Sequence, residues 1–549
     1  MKTTLERRVR VMNSIDLKNI TVLGELGHRL LRNSMRLESE MYQPNAVYQQ
    51  EDCEWPADWE GRTLLALIRQ MEATHREPSY LREILCGVYA RLNQKGYLNR
   101  ILPDGYYDEQ QLSGHNWLLR ALLEYYRLTG CNRAKEVAQT MVTNLYLPLR
   151  GAYKLYPVNP EDRVFEGNPD GCLTGDCING WYLSTDIGCA YMSLDGLSQA
   201  YQMFPSPELA ELLEEMICEF VKIDFVGISM QTHATLSGIR GILRYHAATG
   251  DPKYLENARR LFELYLKEGM SENYANHNWF GRPLWTEPCA IVDSFMAAME
   301  LYRQTDEIFY FEKAQKIYLN AFSHAQRQNG GFGCDNCVGA NTPFLTVHGN
   351  GGDAYWCCTM RGGEGLTEVA RSIFLEKEGV LHIGMYHNAE WRQDGCRLEM
   401  TTQYPLKGYA ELRLNGRLPQ DKLALYLPSY APQCQVSVNE SVFDAKSENG
   451  FVTIDVPENA VITINFDIPL QIVPVKHHAS LSGYVTVNHG WAMLGVETAR
   501  EKLIDLDELS MSAPGVYRTS EVELKQISQT YQVEMSALTD RKLQVLFRK

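Results

Sequence analysis

Apolar residues recur at spacings of three and four over most of the first 376 residues, the pattern of helices that bury one face. Glycines and prolines, such as Gly130 and Pro205, separate one segment from the next. The pattern predicts twelve helices, near residues 21–38, 60–76, 79–95, 113–129, 132–147, 187–203, 206–222, 233–249, 252–269, 287–303, 307–325 and 361–376.

Several consecutive helices are joined by only a few residues, so they must pack as antiparallel neighbours. Six such hairpins favour a closed ring, an (α/α)6 toroid, over residues 1–376. Alternate helices then form an inner barrel, and their N-termini lie on one face of the ring.

After residue 377 the chain changes to short runs in which apolar and polar residues alternate, for example VLHIGMY and FVTIDV. A period of two is typical of half-buried strands. This predicts a β-sandwich-like domain over residues 377–500. Residues 501–549 are amphipathic without a clear period, and we interpret them as a C-terminal appendage.

The formal net charge of −15 disfavours binding to nucleic acid or to anionic membrane surfaces. The chain has no run of eighteen apolar residues, and its N-terminus lacks the apolar core of a secretory signal. We therefore expect a cytoplasmic protein in which the fourteen cysteines are thiols or ligands. These features leave open whether the chain forms a homodimer.

Two short motifs place thiols at predicted helix starts. Cys357 and Cys358 are adjacent and precede the twelfth helix, while Glu287 and Cys289 begin the tenth. A thiolate at a helix N-terminus is stabilised by the positive end of the helix dipole, and adjacent thiolates can reach one metal ion.

The other even-numbered helices also begin with polar or aromatic residues. His115 starts the fourth, Asp186 the sixth and His233 the eighth, and a tryptophan-rich stretch precedes the second. In a toroid these ends line one mouth of the ring. The convergence predicts a site there, although each histidine alone is more often structural.

Two zinc shells are compatible with the sequence. Glu287 and three thiolates make a closed shell of soft sulfur ligands and one carboxylate. The alternative pairs Cys334 and Cys337 with Cys357 and Cys358, at the spacing of a structural four-cysteine site without catalysis.

The Glu-x-Cys and Cys-Cys motifs resemble those of glycoside hydrolase family 127, the β-L-arabinofuranosidases. The resemblance spans about residues 40–500, with support from SGHNWLLRALLEYYRLTG around His115 and QTHATLSGIRGILRYHAATGD around His233. It implies a retaining hydrolase that removes a terminal β-L-arabinofuranose or a related residue from a small-molecule or oligosaccharide substrate.

Carried over residue by residue, the resemblance makes Cys357 the nucleophile while it is a ligand of Zn²⁺. Glu287, Cys289 and Cys358 would complete the zinc shell, and His115 and His233 would hold sugar hydroxyls. A retaining path through a thioglycosyl-enzyme follows from this assignment.

The stretch before Glu287 departs from the family pattern. Glu272 is its only carboxylate and is the candidate general acid/base, with His277 in reserve. Trp279 and Asp186 are the remaining candidates for substrate contacts. If no carboxylate faces the thiolate, the alternative is a zinc-stabilised carbohydrate-binding or structural protein without turnover.

Overall fold

The computed structural model describes residues 12–48, 55–163, 167–349, 352–420, 422–475, 481–530 and 542–549. The N-terminal residues on which the targeting prediction depends lie largely outside this set. None of the helices in the described ranges is long and apolar enough to cross a membrane.

Among the described residues, the helices of nine residues or more number twelve, and each overlaps one predicted segment. They are α1 Gly24–Leu37, α2 Asp58–Thr74, α3 Leu81–Arg91, α4 Glu109–Thr129, α5 Asn132–Met141, α6 Ser193–Met203, α7 Pro207–Phe220, α8 Thr232–Thr249, α9 Pro252–Glu268, α10 Pro288–Thr305, α11 Ile308–Lys316 and α12 Cys358–Arg371.

The observed bounds differ from the predicted ones by three residues or more at several helices. Helix α6 starts six residues late because Gly188 adopts a left-handed conformation with φ 88°. Helices α5 and α11 end early in π-helical turns, Val142–Tyr146 and Ile317–Phe322. Helix α12 starts three residues early, which places Cys358 in its first turn.

The even-numbered helices pack in succession, α2 on α4, α4 on α6, α6 on α8, α8 on α10 and α10 on α12, and α12 packs back on α2. The odd-numbered helices lie outside this ring, each against an even one. Burial follows the same division, since α10 is buried on nearly every side and α9 on one face only.

Within the described ranges, the β-rich region contributes strands to three sheets. A seven-stranded sheet runs from Ser441–Ala445 to Ile20–Val22, and a five-stranded sheet runs from Asn13–Ser14 to Phe451–Asp455. The strand Cys396–Thr402 alternates between buried and partly exposed positions, as its sequence predicts.

The third sheet combines strands from both sides of the predicted boundary at residue 500. Tyr484–His489 and Ala492–Glu497 share it with Val516–Arg518 and Glu523–Gln526. The C-terminal segment therefore pairs with the preceding strands by backbone hydrogen bonds. The helical part also holds a small sheet, in which Tyr107–Asp108 pairs in parallel with Trp181–Ser184.

Candidate metal centre and active site

The structure brings Glu287, Cys289, Cys357 and Cys358 together, with one ligand atom from each residue within 4.8 Å of the others. The Sγ atom of Cys358 lies 3.6 Å from that of Cys289 and 3.3 Å from that of Cys357. Glu287 is the N-cap of α10 and Cys357 the N-cap of α12, two helices adjacent in the ring.

This Glu–Cys cluster has the chemistry of a cation site. Glu287 is buried, and within the described residues its Oε2 atom has no hydrogen-bond partner. Burial raises the pKa of Cys289 and Cys358 well above the ordinary range, so neighbouring protein charges do not offset the cost of ionising these thiols. Three sulfurs and a carboxylate at this spacing fit Zn²⁺, which would supply the missing positive charge.

The alternative four-cysteine shell does not assemble in the part of the chain that the structure describes. The thiol of Cys337 donates to the carbonyl of Asn276 at 3.4 Å, and burial raises its pKa. Cys334 is buried next to Cys358, but the metal-capable group includes neither Cys334 nor Cys337.

Behind the cluster, His233 connects Glu287 to a second carboxylate. Its Nδ1 atom lies 3.2 Å from Glu287 Oε1, and its Nε2 atom lies 3.4 Å from Asp293 Oδ2. Burial opposes the charged ring, but the two carboxylates together raise the pKa of His233 above its usual value. The ring also stacks on Trp117 with centroids 5.6 Å apart. His233 thus orients Glu287.

Arg62 places a fixed positive charge beside the thiols. Its Nη1 atom lies 3.7 Å from Cys289 Sγ, and its Nε atom donates to both oxygens of Asp58 at 2.8 Å. The guanidinium lies over the face of Trp117, 4.2 Å from the ring centroid. This buried cation favours the thiolate of Cys289, but it does not outweigh burial, which keeps the pKa of Cys289 well above the ordinary range.

His115 occupies a different environment from the one its predicted role requires. Its Nδ1 atom lies 2.8 Å from the carbonyl of Gln111, and its Nε2 atom accepts from the N–H of Leu98 at 3.2 Å. Burial lowers the pKa of His115 to about 4, so the ring is neutral. Both nitrogens are therefore engaged by backbone groups, which positions the start of α4.

Asp186 lies at the mouth of the ring and is half-buried. Burial and the charge of Glu287 raise the pKa of Asp186 to about 8, although His233 acts in the opposite direction. The charges of Glu287 and His233 also act on the carboxylate of Asp58, but both oxygens of Asp58 accept hydrogen bonds from Arg62. Asp186 has no such ion pair within the described residues.

Glu272 lies in a tight turn whose fourth residue, Tyr274, has a left-handed φ of 64°. The charge of Glu272 acts on the Tyr274 hydroxyl, and the Tyr274 ring faces Lys313 of the outer helix α11 at 6.0 Å. The Tyr274 side of the turn therefore faces the outer layer, whereas the Asn276 side chain accepts from the backbone N–H of Glu287 at 2.9 Å. His277 is buried, and its carbonyl accepts from Thr232 Oγ1 at 2.7 Å.

The tryptophans near the candidate site differ in how exposed their side chains are. Trp279 is fully buried, and its indole N–H donates to the carbonyl of Thr185 at 3.1 Å, which leaves no face for a sugar. Trp356, next to Cys357, is 42% exposed and packs edge-on against Tyr355. Trp356 is therefore the better placed of the two for stacking on a ligand.

Sequence reasoning missed the residues that support the cluster. Asp293 follows Cys289 by four positions on α10, and Arg62 follows Asp58 by four on α2. This i, i+4 spacing puts each pair on one helix face, a signal that was available from the sequence. Trp117 carried no comparable signal, because its neighbours Arg62, His233 and Arg361 come from three other helices.

Comparison with known proteins adds a finding on the fold. No protein-family model and no curated protein matches the sequence. A solved glycoside hydrolase matches 99% of this chain and 98% of its own, with a TM-score of 0.71 at 13% identity. A GH127 β-arabinofuranosidase matches 98% of both chains, with a TM-score of 0.70 at 14% identity.

A GH127 β-L-arabinofuranosidase from Geobacillus stearothermophilus T6 matches 94% of both chains, with a TM-score of 0.63 at 13% identity. The fold is that of these glycoside hydrolases. The resemblance inferred from the two cysteine motifs is thereby confirmed for the fold, over nearly the whole chain.

Proposed function

We propose that this chain is a retaining glycoside hydrolase built on an (α/α)6 toroid, and that it removes a terminal β-L-arabinofuranose or a related sugar. The observation that carries the proposal is the Glu–Cys cluster at the mouth of the helical ring. The full-length likeness to solved GH127 β-L-arabinofuranosidases supports the sugar class. The division at residues 376 and 500 and a cytoplasmic location belong to the same proposal.

Cys357 is the proposed nucleophile because of its exposure. It is half-buried, whereas Cys289 and Cys358 are buried, so it is the cluster thiol that a sugar reaches. Bound Zn²⁺ would hold the thiols as thiolates at neutral pH. Glu287, Cys289 and Cys358 would remain as its ligands, and His233 and Arg62 would keep them in place.

The reaction proceeds by two displacements. Cys357 attacks the anomeric carbon while the bond to the leaving oxygen breaks, and a carboxylic acid gives that oxygen its proton. Water then attacks the same carbon and gives its proton to the carboxylate, and the carbon–sulfur bond breaks. Two inversions at one carbon give net retention.

Two carboxylates compete for the proton-transfer role. Glu272 has the position expected from the sequence, and the neighbouring Tyr274 faces the outer layer. The charges of Glu287 and His233 act on Asp186, which, among the described residues, lacks the arginine that binds Asp58. This electrostatic contact supports Asp186 as the acid, in place of the substrate-contact role predicted for it.

Hydrolysis of alkyl and 4-nitrophenyl β-L-arabinofuranosides tests this assignment, with the product anomer followed by NMR. Asp186→Asn should lower kcat/KM for the alkyl glycoside by about 10²- to 10⁴-fold. The loss should be much smaller for the 4-nitrophenyl glycoside, because its leaving group needs no protonation.

Glu272→Gln is the matched control and should retain wild-type kinetics on both substrates. The reverse ranking of the two variants would return the acid role to Glu272. Binding of L-arabinose without hydrolysis of either substrate would refute the hydrolase and favour the carbohydrate-binding alternative. An inverted product would contradict the covalent path.

A further inference from the structure

The seven-stranded sheet ends at an edge strand, Ser441–Ala445, that is exposed on both faces. Val442 is 59% exposed and Phe443 is 41% exposed, and the two side chains point to opposite faces of the sheet. The inner side of the strand pairs with Cys434–Val438 in antiparallel register, and within the described ranges no strand pairs with its outer side. An outer row of backbone N–H and C=O groups is therefore available to a further strand.

The other sheet edges of the β-rich region are protected. The third sheet ends at Leu470–Pro474, which contains a proline, and at Ser510–Ala513, whose pairing is irregular. Asn13–Ser14 and Ile20–Val22 are edges of only two and three residues, and Phe451–Asp455 buries its apolar side chains. Prolines, irregular pairing and short length keep a further strand from adding to an edge. The edge strand has none of these three devices, since its five residues pair regularly and include no proline.

The edge strand is complementary to its own sequence in the antiparallel direction. Two copies related by a two-fold axis at Phe443 would place Glu440 of each copy opposite Lys446 of the other. Asp444 would lie opposite Val442, so no like charges would lie directly opposite each other. Glu440 and Lys446 are both exposed, and neither forms an ion pair within the described residues. A second copy of this chain thus offers each of these charges a partner.

The aromatic ring at the centre of this register lies at the open end of the core. Phe443 is the cross-strand partner of Val436, which is fully buried. Cross-strand partners point to the same face, so Phe443 is on the face of the sheet that covers the core. A second Phe443 directly opposite would shield the first from water and extend the core from one copy to the other.

We propose that this chain forms a two-fold homodimer in which the edge strands of two copies pair in antiparallel register. Each copy then covers the free edge of the other, so the assembly closes as a dimer and does not grow into a filament. Five residues on each side bury less surface than a permanent dimer needs, so the association is weak and depends on concentration. The edge strand shares no residue with the Glu–Cys cluster, and the inference therefore does not depend on the hydrolase assignment.

Sedimentation velocity of the zinc-loaded full chain, from about 1 to 200 µM, tests the proposal. Wild type should change from monomer to dimer with a dissociation constant on the order of 10 µM. Phe443→Asp removes the central aromatic pair and sets two carboxylates opposite each other, so it should weaken the dimer at least about 100-fold. Ile472→Asp is the matched control, because Ile472 is equally exposed, at 41%, on the edge that contains a proline. It should dimerise as wild type does.

Exchanging the charges at the two ends of the strand tests the register and decides the matter if Phe443→Asp fails to fold. Glu440→Lys alone, and Lys446→Glu alone, would each set like charges opposite each other at both ends and should weaken the dimer about tenfold. An equimolar mixture of these two variants should recover the wild-type affinity as a heterodimer, because every end pair is then again of opposite charge.

Three results would overturn the proposal. The first is a wild-type protein that stays monomeric at about 200 µM. The second is a dimer that Phe443→Asp leaves unchanged, or that Ile472→Asp weakens equally. The third is a mixture of Glu440→Lys and Lys446→Glu that associates no more tightly than either variant alone.

Discussion

The mouth and the middle of the helical ring are both buried and polar, yet they balance charge differently. Along one face of α12, Cys358 is followed by Arg361, Glu364, Glu368 and Arg371 at successive turns. The four charged residues below the cysteine all have ion-pair partners on other inner helices.

In the middle of the ring, each carboxylate has an arginine. Arg69 of α2 pairs with Glu72, Glu124 and Glu368, and Arg120 of α4 pairs with Asp195 at 3.0 Å. These partners lower the pKa of Glu124 and Glu368 against the opposing effect of burial. Each of these carboxylates has an arginine within ion-pair distance, and the network holds the helices together, although some of its atoms, including Arg69 Nε and Asp195 Oδ2, form no hydrogen bond with the described residues.

At the mouth of the ring, positive protein groups do not balance the groups that can carry negative charge. Three thiols and Glu287 converge there, and one Glu287 oxygen has no hydrogen-bond partner in the part of the chain that the structure describes. Arg62 is close, but its charge is shared with Asp58. Because the same helices supply both regions, the difference indicates that the mouth is built for an external cation and the middle for stability.

Removing one of the cluster ligands should have the largest effect on zinc binding at the mouth of the ring. Cys289→Ala should lower zinc affinity by at least about 100-fold, since one of four ligands is lost. It should also remove the increase in melting temperature that zinc gives wild type. Elemental analysis and thermal unfolding with and without zinc measure both effects.

Cys334→Ala and Cys337→Ala are the matched controls, because both thiols are buried near the site without joining the cluster. Each should keep one zinc per chain. Loss of zinc from these two variants, with retention in Cys289→Ala, would instead support the four-cysteine shell.

Removing a buried arginine from the middle of the ring should change zinc binding little but should lower the stability of the fold strongly. Arg69→Met leaves Glu72, Glu124 and Glu368 without this buried partner and should cost about 3–5 kcal/mol of unfolding free energy. Zinc content should stay at the wild-type level. Urea unfolding and elemental analysis measure the two effects. Loss of zinc with an unchanged unfolding free energy would contradict the assignment of the ring mouth to metal binding and of the ring middle to stability.

The sequence predicted what depends on local spacing. The twelve helices follow from apolar periodicity, and the helix-start positions of Glu287 and Cys357 made their cluster one of two candidate zinc shells, between which the family resemblance decided. The direction of the Cys337 thiol toward Asn276 could not be predicted, because it depends on loop packing. Nor could the pairing of Asn13–Ser14 with Phe374–Lys377, whose partners are hundreds of residues apart.

The preference for Asp186 over Glu272 in the proposed mechanism has a related physical reason. Glu272 was selected by its distance along the chain from Glu287, but the turn at Tyr274 reverses the backbone between them. Asp186 comes from a separate part of the ring mouth, after the strand Trp181–Ser184. Only the closure of the ring brings its carboxyl into the field of Glu287.

The central claim is that Cys357 is the nucleophile, and covalent trapping tests it most directly. Zinc-loaded protein would be treated with an epoxide-type L-arabinofuranose inactivator, digested and analysed by peptide mass spectrometry. The account predicts a single sugar adduct on Cys357, absent when free L-arabinose protects the site and absent in Cys357→Ala. An adduct on Glu272 or Asp186 with Cys357 unmodified would contradict it.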